Sequence, residues 1–390
     1  MNCAVFNAEA RKAVSIIRSL GRAGFSIVTF SFERISFAGS SRYVKRNYYI
    51  QRFDKEFIHT KLRDHEIDVV FPIEDDSIEF FGKNRTGFEN YILIIPDYET
   101  FILFADKANT VRHARERGVS VPDTYIPESL EDAQDYFTRL REYPRVIKPR
   151  RSTGSIGLKV VHGSEDGIES YREISKRFHL PIIQEYIPSG GRAVGAEFLC
   201  YRGREIMSFS HQRIREFPVR SGPSTFCKYY RQNDAIVEGR KLLEGLDYSG
   251  FAMVEFREHP ERRRLYLMEI NPRPWGSITL PISMGFDFPA EAVKLFSDPA
   301  GYEPPECRTH IETGKEYYMR WLLPGDFLSI MLDGRMSVGE KLGQLFGRRP
   351  NTAYQILSIT DPFPAIVMIV KLVLNLFNIG YIRKYLLRRW

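Results

Sequence analysis

The sequence has few cysteines, and none of them lie close together. Four occur in 390 residues, without any Cys-x-x-Cys pair: Cys3, Cys200, Cys227 and Cys307. This spacing argues against a disulfide framework and against a cysteine-based zinc site. The first residues, MNCAVFNAEARK, also lack a long apolar run, so we expect no secretory signal peptide. These absences are typical of a protein of the reducing cytoplasm.

The signature motifs of several enzyme classes are missing as well. The first predicted strand–helix turn reads Asn7-Ala8-Glu9 instead of Gly-x-Gly-x-x-Gly, which argues against a dinucleotide at that turn. The glycine-containing loop 152–157 is not followed by Gly-Lys-Ser/Thr, so it is not a P-loop. The sequence also shows no convincing Ser-His-Asp or Cys-His arrangement of the kind that nucleophilic enzymes use.

The composition favours a globular protein with anionic partners. Hydrophobic residues make up 43% of the chain, which is enough for a sizeable core and two or three domains. The net charge of +7 favours nucleotides, acidic small molecules, membrane surfaces or nucleic acid, although surplus surface charge explains it equally well. We expect no nucleic-acid partner, because no aromatic-basic interleaving accompanies the charge.

The N-terminal region alternates predicted strands and helices. Residues 3–8 form a predicted strand, 9–24 a predicted helix, and 25–32, 68–73 and 91–97 further strands. This alternation predicts a parallel sheet with helices on its faces, in a Rossmann-like arrangement.

A polar group stands out near the end of an apolar run, LYLMEINPRPWGS (265–277). Alternate side chains of a strand share a face, so Glu269 and Asn271 point the same way. Glu255 ends the preceding predicted strand, and a hairpin turn near 258–262 would bring it beside Glu269. Two carboxylates this close are unfavourable unless a cation lies between them. Oxygen ligands of this kind predict a site for Mg²⁺ or Mn²⁺.

Three other features accompany this predicted metal site. Arg273 follows on the same face, where it could contact a phosphate. Lys148 ends a predicted strand and precedes a loop of small residues: Ser152, Thr153, Gly154, Ser155, Ile156 and Gly157. Such a loop lets backbone N–H groups approach phosphates, but an ordinary glycine turn is the alternative. In IIQEYIP the apolar strand runs into Gln184, Glu185, Tyr186 and Ile187. The backbone edge of this segment could bind an adenine ring, and an ordinary strand end is the alternative.

Together and in this order, these motifs resemble the ATP-grasp superfamily of carboxylate–amine and carboxylate–thiol ligases. The matching stretches are FADKANT (with Lys107), VIKPRRSTGSIG, IIQEYIP, GAEF, MVEF and MEINPRPWGS. HQRIREFPVRSGPSTF (211–226) resembles a segment of the carbamoyl-phosphate-synthase-like branch. The later motif DPFPAI resembles an uncharacterised ATP-dependent carboligase-like group.

The resemblance implies an α/β plus α+β fold in three parts. Residues 1–105 would form a Rossmann-like pre-ATP-grasp domain. Residues 106–300 would form the two-lobe ATP-grasp domain, with lobe A at about 106–183 and lobe B at about 184–300. Residues 301–390 would form a helical C-terminal extension.

The resemblance also implies a role for each matched residue. Lys107 and Lys148 would hold the α- and β-phosphates of ATP, and loop 152–157 would cover the β- and γ-phosphates. Glu255, Glu269 and Asn271 would bind Mg²⁺, and Gln184 and Glu185 to Ile187 would bind adenine. Glu197 would contact the ribose or the nucleotide, and Arg273 would contact the phosphate that is transferred. Phosphate or acceptor contacts would come from Arg213, Arg215 and the turn Ser221-Gly222-Pro223-Ser224.

The implied reaction is ADP-forming ligation of a small-molecule carboxylate to an amine or thiol, through an acyl phosphate. Two alternatives stay open: a non-catalytic ATP-binding regulator and a small-molecule kinase on the same fold. The complete set of matched residues argues against the regulator. The sequence does not identify the carboxylate or the acceptor.

The last thirty residues are unusually apolar and then basic. From 365 to 382 the polar residues are Lys371, Asn375 and Asn378, on one stripe of a predicted helix. A transmembrane span is disfavoured, because Lys371 would lie in mid-bilayer. Residues 362–390 could instead make a peripheral membrane contact, or pack on their own domain or on a second subunit in a homodimer.

Overall fold

The computed structural model describes residues 1–152, 154, 156–217, 222–305, 314–347 and 349–376, and it is a mixed α/β structure. The strands, in chain order, are β1 (Asn2–Phe6), β2 (Ser26–Ser31), β3 (Val44–Tyr49), β4 (Val69–Phe71), β5 (Ile92–Leu93), β6 (Thr124–Tyr125), β7 (Arg145–Lys148), β8 (Lys159–Val161), β9 (Ile182–Glu185), β10 (Ala193–Tyr201), β11 (Arg204–Glu216), β12 (Ser224–Tyr229), β13 (Gly250–Glu258), β14 (Leu265–Asn271), β15 (Tyr318–Arg320) and β16 (Thr352–Tyr354). The helices are α1 (Arg11–Arg22), α2 (Lys55–Asp64), α3 (Asp75–Lys83), α4 (Tyr98–Ala105), α5 (Lys107–Glu116), α6 (Leu130–Arg139), α7 (Ser164–Ser175), α8 (Asp234–Leu243), α9 (Thr279–Ser283), α10 (Phe288–Ser297), α11 (Phe327–Met331), α12 (Val338–Phe346) and α13 (Phe363–Leu376).

The chain divides into two compact units, each described here by itself. Unit 1 contains Met1–Ile95, Trp275–Pro304 and Lys315–Trp390. Unit 2 contains Pro96–Pro274 and Pro305–Gly314. The proposed boundaries near residues 105 and 300 stay a prediction about domains.

Unit 1 contains a parallel sheet in the order β3-β2-β1-β4-β5. Parallel strands need helical crossovers, and α1 supplies the first one. Its predicted apolar face, which includes Ile16, Ile17 and Leu20, is fully buried. The predicted alternation of strands and helices in this region is therefore present.

Side-chain hydrogen bonds of Asn7 hold the turn after β1. Asn7 adopts a φ of 62°, a left-handed conformation that asparagine tolerates better than most residues. Its Nδ2 donates to Glu9 Oε1 at 3.3 Å and to Asp76 Oδ1 at 3.1 Å. Acidic side chains occupy this edge, so the turn does not have the character of a glycine-rich pyrophosphate loop.

Unit 2 contains two antiparallel arrays that carry the predicted motifs. The smaller sheet has the order β6-β9-β7-β8 and packs against α6 and α7 through Phe137, Ile147 and Tyr171. The larger array runs β14-β13-β10-β11-β12, and its core includes Phe198, Tyr248 and Ile270. The first array presents Lys148 and the second presents the acidic residues.

The hairpin predicted around residues 258–262 is present. β13 and β14 pair antiparallel, and their register sets Glu255 opposite Glu269. The register shifts between Glu255 and Phe256, so a β-bulge lies next to this pair. Bulges redirect side chains and often occur beside functional sites.

Helix α13 packs on unit 1 through one face. Ala365 and Met368 are buried against a small cluster that includes Ile356 and Phe37. Lys371 pairs with Glu33 and donates to the Ile35 carbonyl at 3.2 Å. Packing on its own domain, one of the predicted alternatives, is thus seen for the described part of the tail. Within that part of the chain, no helix combines the length and the apolar character needed to cross a bilayer.

A buried ion pair fixes the segment before α13. Asp361 is fully buried, and Arg18 Nε donates to its Oδ2 at 2.9 Å. Ser41 Oγ donates to the same oxygen at 2.8 Å, and the Arg42 N–H donates to Oδ1 at 2.9 Å. Every carboxylate oxygen therefore has a donor, which a buried charge requires.

We expect Asp361→Ala to reduce the free energy of unfolding by about 3–5 kcal/mol, because it leaves the Arg18 guanidinium buried without its counter-charge. Chemical denaturation monitored by circular dichroism would measure the loss. As a control, Asp64→Ala removes an exposed pair with Lys61 and should leave the transition nearly unchanged. A loss for Asp361→Ala no larger than that of the control would contradict the prediction.

Candidate active site

Three oxygen-bearing side chains converge at the end of the β13–β14 hairpin. Asn271 Nδ2 lies 3.1 Å from Glu269 Oε1 and 3.4 Å from Glu255 Oε1. The two carboxylates are opposite each other in the register, and Asn271 follows Glu269 on the same face. The hairpin therefore brings together the three residues that the sequence predicts as metal ligands.

Positive side chains surround this acidic group. Lys107 Nζ lies 3.4 Å from Glu269 Oε2, and Arg213 forms an ion pair with Glu255 through Nη2. Arg273 Nη2 donates to Asn271 Oδ1 at 3.0 Å. The cations arise from α5, β11 and the loop after β14, so the cluster is built by tertiary pairing.

The two carboxyl groups have pKa values displaced in opposite directions. Burial raises the pKa of Glu255, and the facing Arg213 guanidinium offsets part of that rise. Burial acts in the same sense at Glu269, but the Lys107 ammonium and the Asn271 amide outweigh it and lower the pKa of that carboxyl. Glu269 is thus the carboxylate held ionised by its surroundings.

The donor set fits a magnesium ion. The Asn271 amide fills the gap between two carboxylates. A half-turn of that amide, which would break its hydrogen bond from Arg273, would direct its oxygen to the same gap. Mg²⁺ commonly takes one or two carboxylates and completes its shell with water and phosphate oxygens. The described residues contain no group of three or more His, Cys, Asp or Glu suited to a metal.

Lys148 approaches from the end of β7. Its Nζ donates to Gln184 Oε1 at 2.5 Å, and Gln184 Nε2 in turn donates to Thr124 Oγ1 at 2.8 Å. Burial, together with the positive charges of Lys107 and Arg257, lowers the pKa of Lys148 to about 8. Gln184 is almost fully buried, so its side chain orients the lysine.

The strand end after Gln184 is engaged in local contacts. Glu185 Oε2 accepts from the Asp123 N–H at 3.2 Å, and Glu185 Oε1 pairs with Arg262 at 2.8 Å. Ile187 is buried, and Tyr186 is partly exposed. Adenine binding by Glu185 to Ile187 stays a prediction.

The loop after β7 is tied to α5. Lys107 Nζ donates to the Ser152 carbonyl at 3.1 Å, and Arg150 donates from Nε to both oxygens of Asp106, at 3.0 and 2.9 Å. Gly154 and Gly157 have φ values of 60° and 77°, which glycine adopts without strain. Thr153 and Ser155 lie outside the described residues, so the predicted phosphate cover is described only in part.

A buried acid–imidazole pair lies on the same array. Glu197 is fully buried and contacts His211 Nδ1 through Oε1. A Cβ at Gly195 would lie 2.6 Å from the His211 ring, so glycine at that position makes room for the pair. Burial and the Glu255 charge raise the pKa of Glu197, whereas burial lowers the pKa of His211 to about 3. The buried position of Glu197 does not test its predicted nucleotide contact.

The remaining predicted contacts lie along β11 and the loop beyond it. The Arg215 guanidinium lies 4.3 Å from the centre of the Phe226 ring. Gly222, Pro223 and Ser224 are described, whereas Ser221 falls outside the described residues. Contacts of Arg215 and of this turn with phosphate or acceptor stay predictions.

Sequence reasoning missed three residues of the cluster. Arg257 Nη2 donates to Glu216 Oε1 at 3.5 Å, and Glu216 also lies 4.0 Å from Arg213. His211 is the third. The alternation of strand side chains could have found Arg257, which lies two residues after Glu255. Glu216 follows register shifts in β11, so simple alternation would not have placed it.

Comparison with known proteins links one region of the chain to a family. Residues 104–277 match the model of the ATP-grasp domain. The matched region, less than half of the chain, contains Lys107, Lys148 and the whole acidic group.

The curated relatives of the chain include two ligases. It is 24% identical over 229 residues to a probable alpha-L-glutamate ligase of Klebsiella pneumoniae, covering 56% of this chain and 73% of that relative. It is 26% identical over 188 residues to a D-alanine–D-alanine ligase of Anaplasma marginale, covering 45% of this chain. The chain spans about half of that second relative, 54% of its length.

Solved structures share the fold. N5-carboxyaminoimidazole synthetase from Staphylococcus aureus has a TM-score of 0.66 at 16% identity, with 85% of this chain and 84% of that chain covered. The biotin carboxylase domain of 2-oxoglutarate carboxylase from Hydrogenobacter thermophilus, in complex with MgADP, ADP and bicarbonate, has a TM-score of 0.64 at 17% identity, with 81% and 73% covered. At these identities the likeness shows a shared fold alone.

Proposed function

We propose that the protein is a Mg²⁺-dependent, ADP-forming ligase that joins a small-molecule carboxylate to an amine or thiol. The observation that carries the proposal is the pair Glu255 and Glu269 with Asn271 between them, ringed by Lys107, Arg213 and Arg273. Two carboxylates among several cations suit a metal–triphosphate complex better than a neutral ligand.

The reaction proceeds in two steps. A carboxylate oxygen of the substrate attacks the γ-phosphorus of ATP, the bond from that phosphorus to the β,γ-bridging oxygen breaks, and ADP leaves. The nitrogen or sulfur of the acceptor then attacks the acyl carbon, phosphate leaves, and the acceptor loses its proton. No protein nucleophile is needed, since positioning and charge neutralisation account for catalysis of this kind.

Each cationic residue of the site would contact a different anionic group. Lys107 and Lys148 would bind the α- and β-phosphates, and Arg273 would contact the transferring phosphoryl group. Arg213 already neutralises Glu255 and would hold that carboxylate in place. Mg²⁺, held by Glu255, Glu269 and Asn271, would neutralise charge on the β- and γ-phosphate oxygens.

The finer fold assignment belongs to the same proposal. The parallel sheet of unit 1 supports a Rossmann-like pre-ATP-grasp domain, and α13 supports a helical C-terminal extension. Cys3, Cys200 and Cys227 are buried and form no disulfide, which suits a cytoplasmic enzyme.

The test is MgATP-dependent ADP release across pooled carboxylates, with hydroxylamine present as a trap. A ligase converts its acyl phosphate to a hydroxamate, and we expect one pool to give it in amounts equal to ADP. The Glu269→Gln variant is the control and should give neither product. ADP release with a stable phosphate ester and no hydroxamate would instead indicate a small-molecule kinase. Tight ATP binding without turnover in any pool would indicate a non-catalytic regulator.

A further inference from the structure

Helix α13 exposes a continuous apolar stripe. Six large apolar side chains along it are each at least 41% exposed: Phe363, Ile366, Ile369, Val370, Val373 and Leu374. Their spacing of three and four residues sets them on one side of the helix. Scattered exposed apolar residues are ordinary, but a stripe of this length on one helix marks an interaction surface.

The opposite side of α13 faces the protein. Ala365 and Met368 are buried there, and Lys371 turns toward Glu33 and the Ile35 carbonyl. The only charged side chain between 363 and 376 thus lies away from the stripe. A lysine in this position removes the main objection to a lipid contact, because its charge would not enter the hydrocarbon.

The sequence that follows the helix is basic and aromatic. Within its final eight residues it contains Arg383, Lys384, Arg388 and Arg389, together with Tyr385 and Trp390. Basic clusters that follow an apolar helix in sequence favour a surface that carries anionic lipid headgroups, and tryptophan and tyrosine favour the interface between headgroups and acyl chains.

We propose that α13 lies in the plane of a bilayer surface that contains anionic lipid, with its apolar stripe in the headgroup–acyl boundary. The helix has 14 residues, or about 21 Å at 1.5 Å per residue, which suits a position along the surface. This proposal is independent of the proposed ligase reaction.

A second copy of the chain suits the stripe less well. A two-fold contact would pair two chains that each carry a net charge of +7. Like net charge disfavours that pairing, whereas anionic lipid neutralises the positive charge.

Vesicle co-sedimentation of the full-length protein tests the proposal, with phosphatidylcholine vesicles containing or lacking phosphatidylglycerol. We expect binding to the anionic vesicles and weaker binding at high salt. The double variant Ile366→Glu/Val373→Glu should bind at least about tenfold more weakly, because it places two charges in the apolar boundary. Changing Arg383, Lys384, Arg388 and Arg389 to Gln should cost roughly fivefold per charge removed.

The matched control is Val237→Glu, an exposed apolar residue on α8 that is 47% accessible. It should bind vesicles like the parent, and all variants should keep the parent's thermal unfolding temperature. Equal vesicle binding by the double variant and the parent would overturn the proposal, as would absence of binding by the parent. Sedimentation velocity that shows a dimer dissolved by Ile366→Glu/Val373→Glu would also overturn it, and would assign the stripe to a second copy.

Discussion

Glu269→Gln should lower the rate of ADP formation at saturating MgATP by about 10³-fold or more, while the protein stays folded. The substitution keeps the size of the side chain and removes one of the two charges that hold the cation. It also removes the carboxylate that Lys107 approaches at 3.4 Å. The loss should fall mainly on kcat, because the cation acts on charge that develops during phosphoryl transfer.

Two further variants separate a metal role from a general loss of charge. Glu255→Gln/Glu269→Gln should be scarcely worse than either single change, because both carboxylates would serve the same cation. Glu261→Gln changes an exposed acid in the turn of the same hairpin and should keep the parent's activity. Steady-state ADP release over a Mg²⁺ titration measures all three. A Glu269→Gln enzyme that recovers the parent's kcat and Mg²⁺ dependence would remove the metal site from this hairpin.

The hairpin was predictable because its determinants are local. Two apolar strands flank a short polar turn, so the approach of Glu255 to Glu269 could be predicted. Counting residues back from the turn would pair Glu255 with Met268, and the bulge shifts the register so that Glu255 lies opposite Glu269. The position of Asn271 follows from strand alternation. The bulge beside Glu255 was not predictable, since no glycine or other sequence signal marks it.

Contacts between distant strands could not be inferred from local patterns. Gln184 lies in the segment predicted to bind adenine, and its side chain also holds Lys148, 36 residues earlier. That contact exists because β7 and β9 are neighbours, with α7 between them in sequence. The same limit applies to the Arg18–Asp361 pair, which joins the first helix to a segment 343 residues away.

The fold class was easier to predict from the sequence than the division of the chain into two compact units. Alternating strand and helix periods predict a mixed α/β protein, and the motifs predict the ATP-grasp domain that residues 104–277 match. The assembly of unit 1 from Met1–Ile95, Trp275–Pro304 and Lys315–Trp390 has no sequence signal. Long-range packing decides it, through buried groups such as Asp361.

Lys148→Ala should raise the KM for ATP by about 10–100-fold, the effect of losing a charge-assisted hydrogen bond to a phosphate. The change also leaves the Oε1 of buried Gln184 without its present donor. Lys176→Ala, at an exposed lysine directly after α7, is the matched control and should keep the parent's KM. An unchanged KM in Lys148→Ala would exclude a phosphate contact.

The pH dependence gives Lys148 a second, sharper signature. Because burial lowers the pKa of Lys148 to about 8 in the free protein, its ammonium is present below that pH and is lost above it. We therefore expect kcat/KM for MgATP to fall above about pH 8, by up to tenfold per pH unit. Bound phosphate favours the charged lysine, so the fall in kcat at saturating ATP should move to higher pH.

Lys148→Arg separates this titration from any other group in the site. Arginine stays charged throughout the range, so the decline near pH 8 should disappear even if the longer side chain lowers the overall rate. A decline that persists unchanged in Lys148→Arg would assign it to another group, and Lys148 would then act without a proton equilibrium near neutral pH. Profiles of kcat/KM for the parent and both variants, measured between pH 6 and pH 10 at constant ionic strength, would decide between these outcomes.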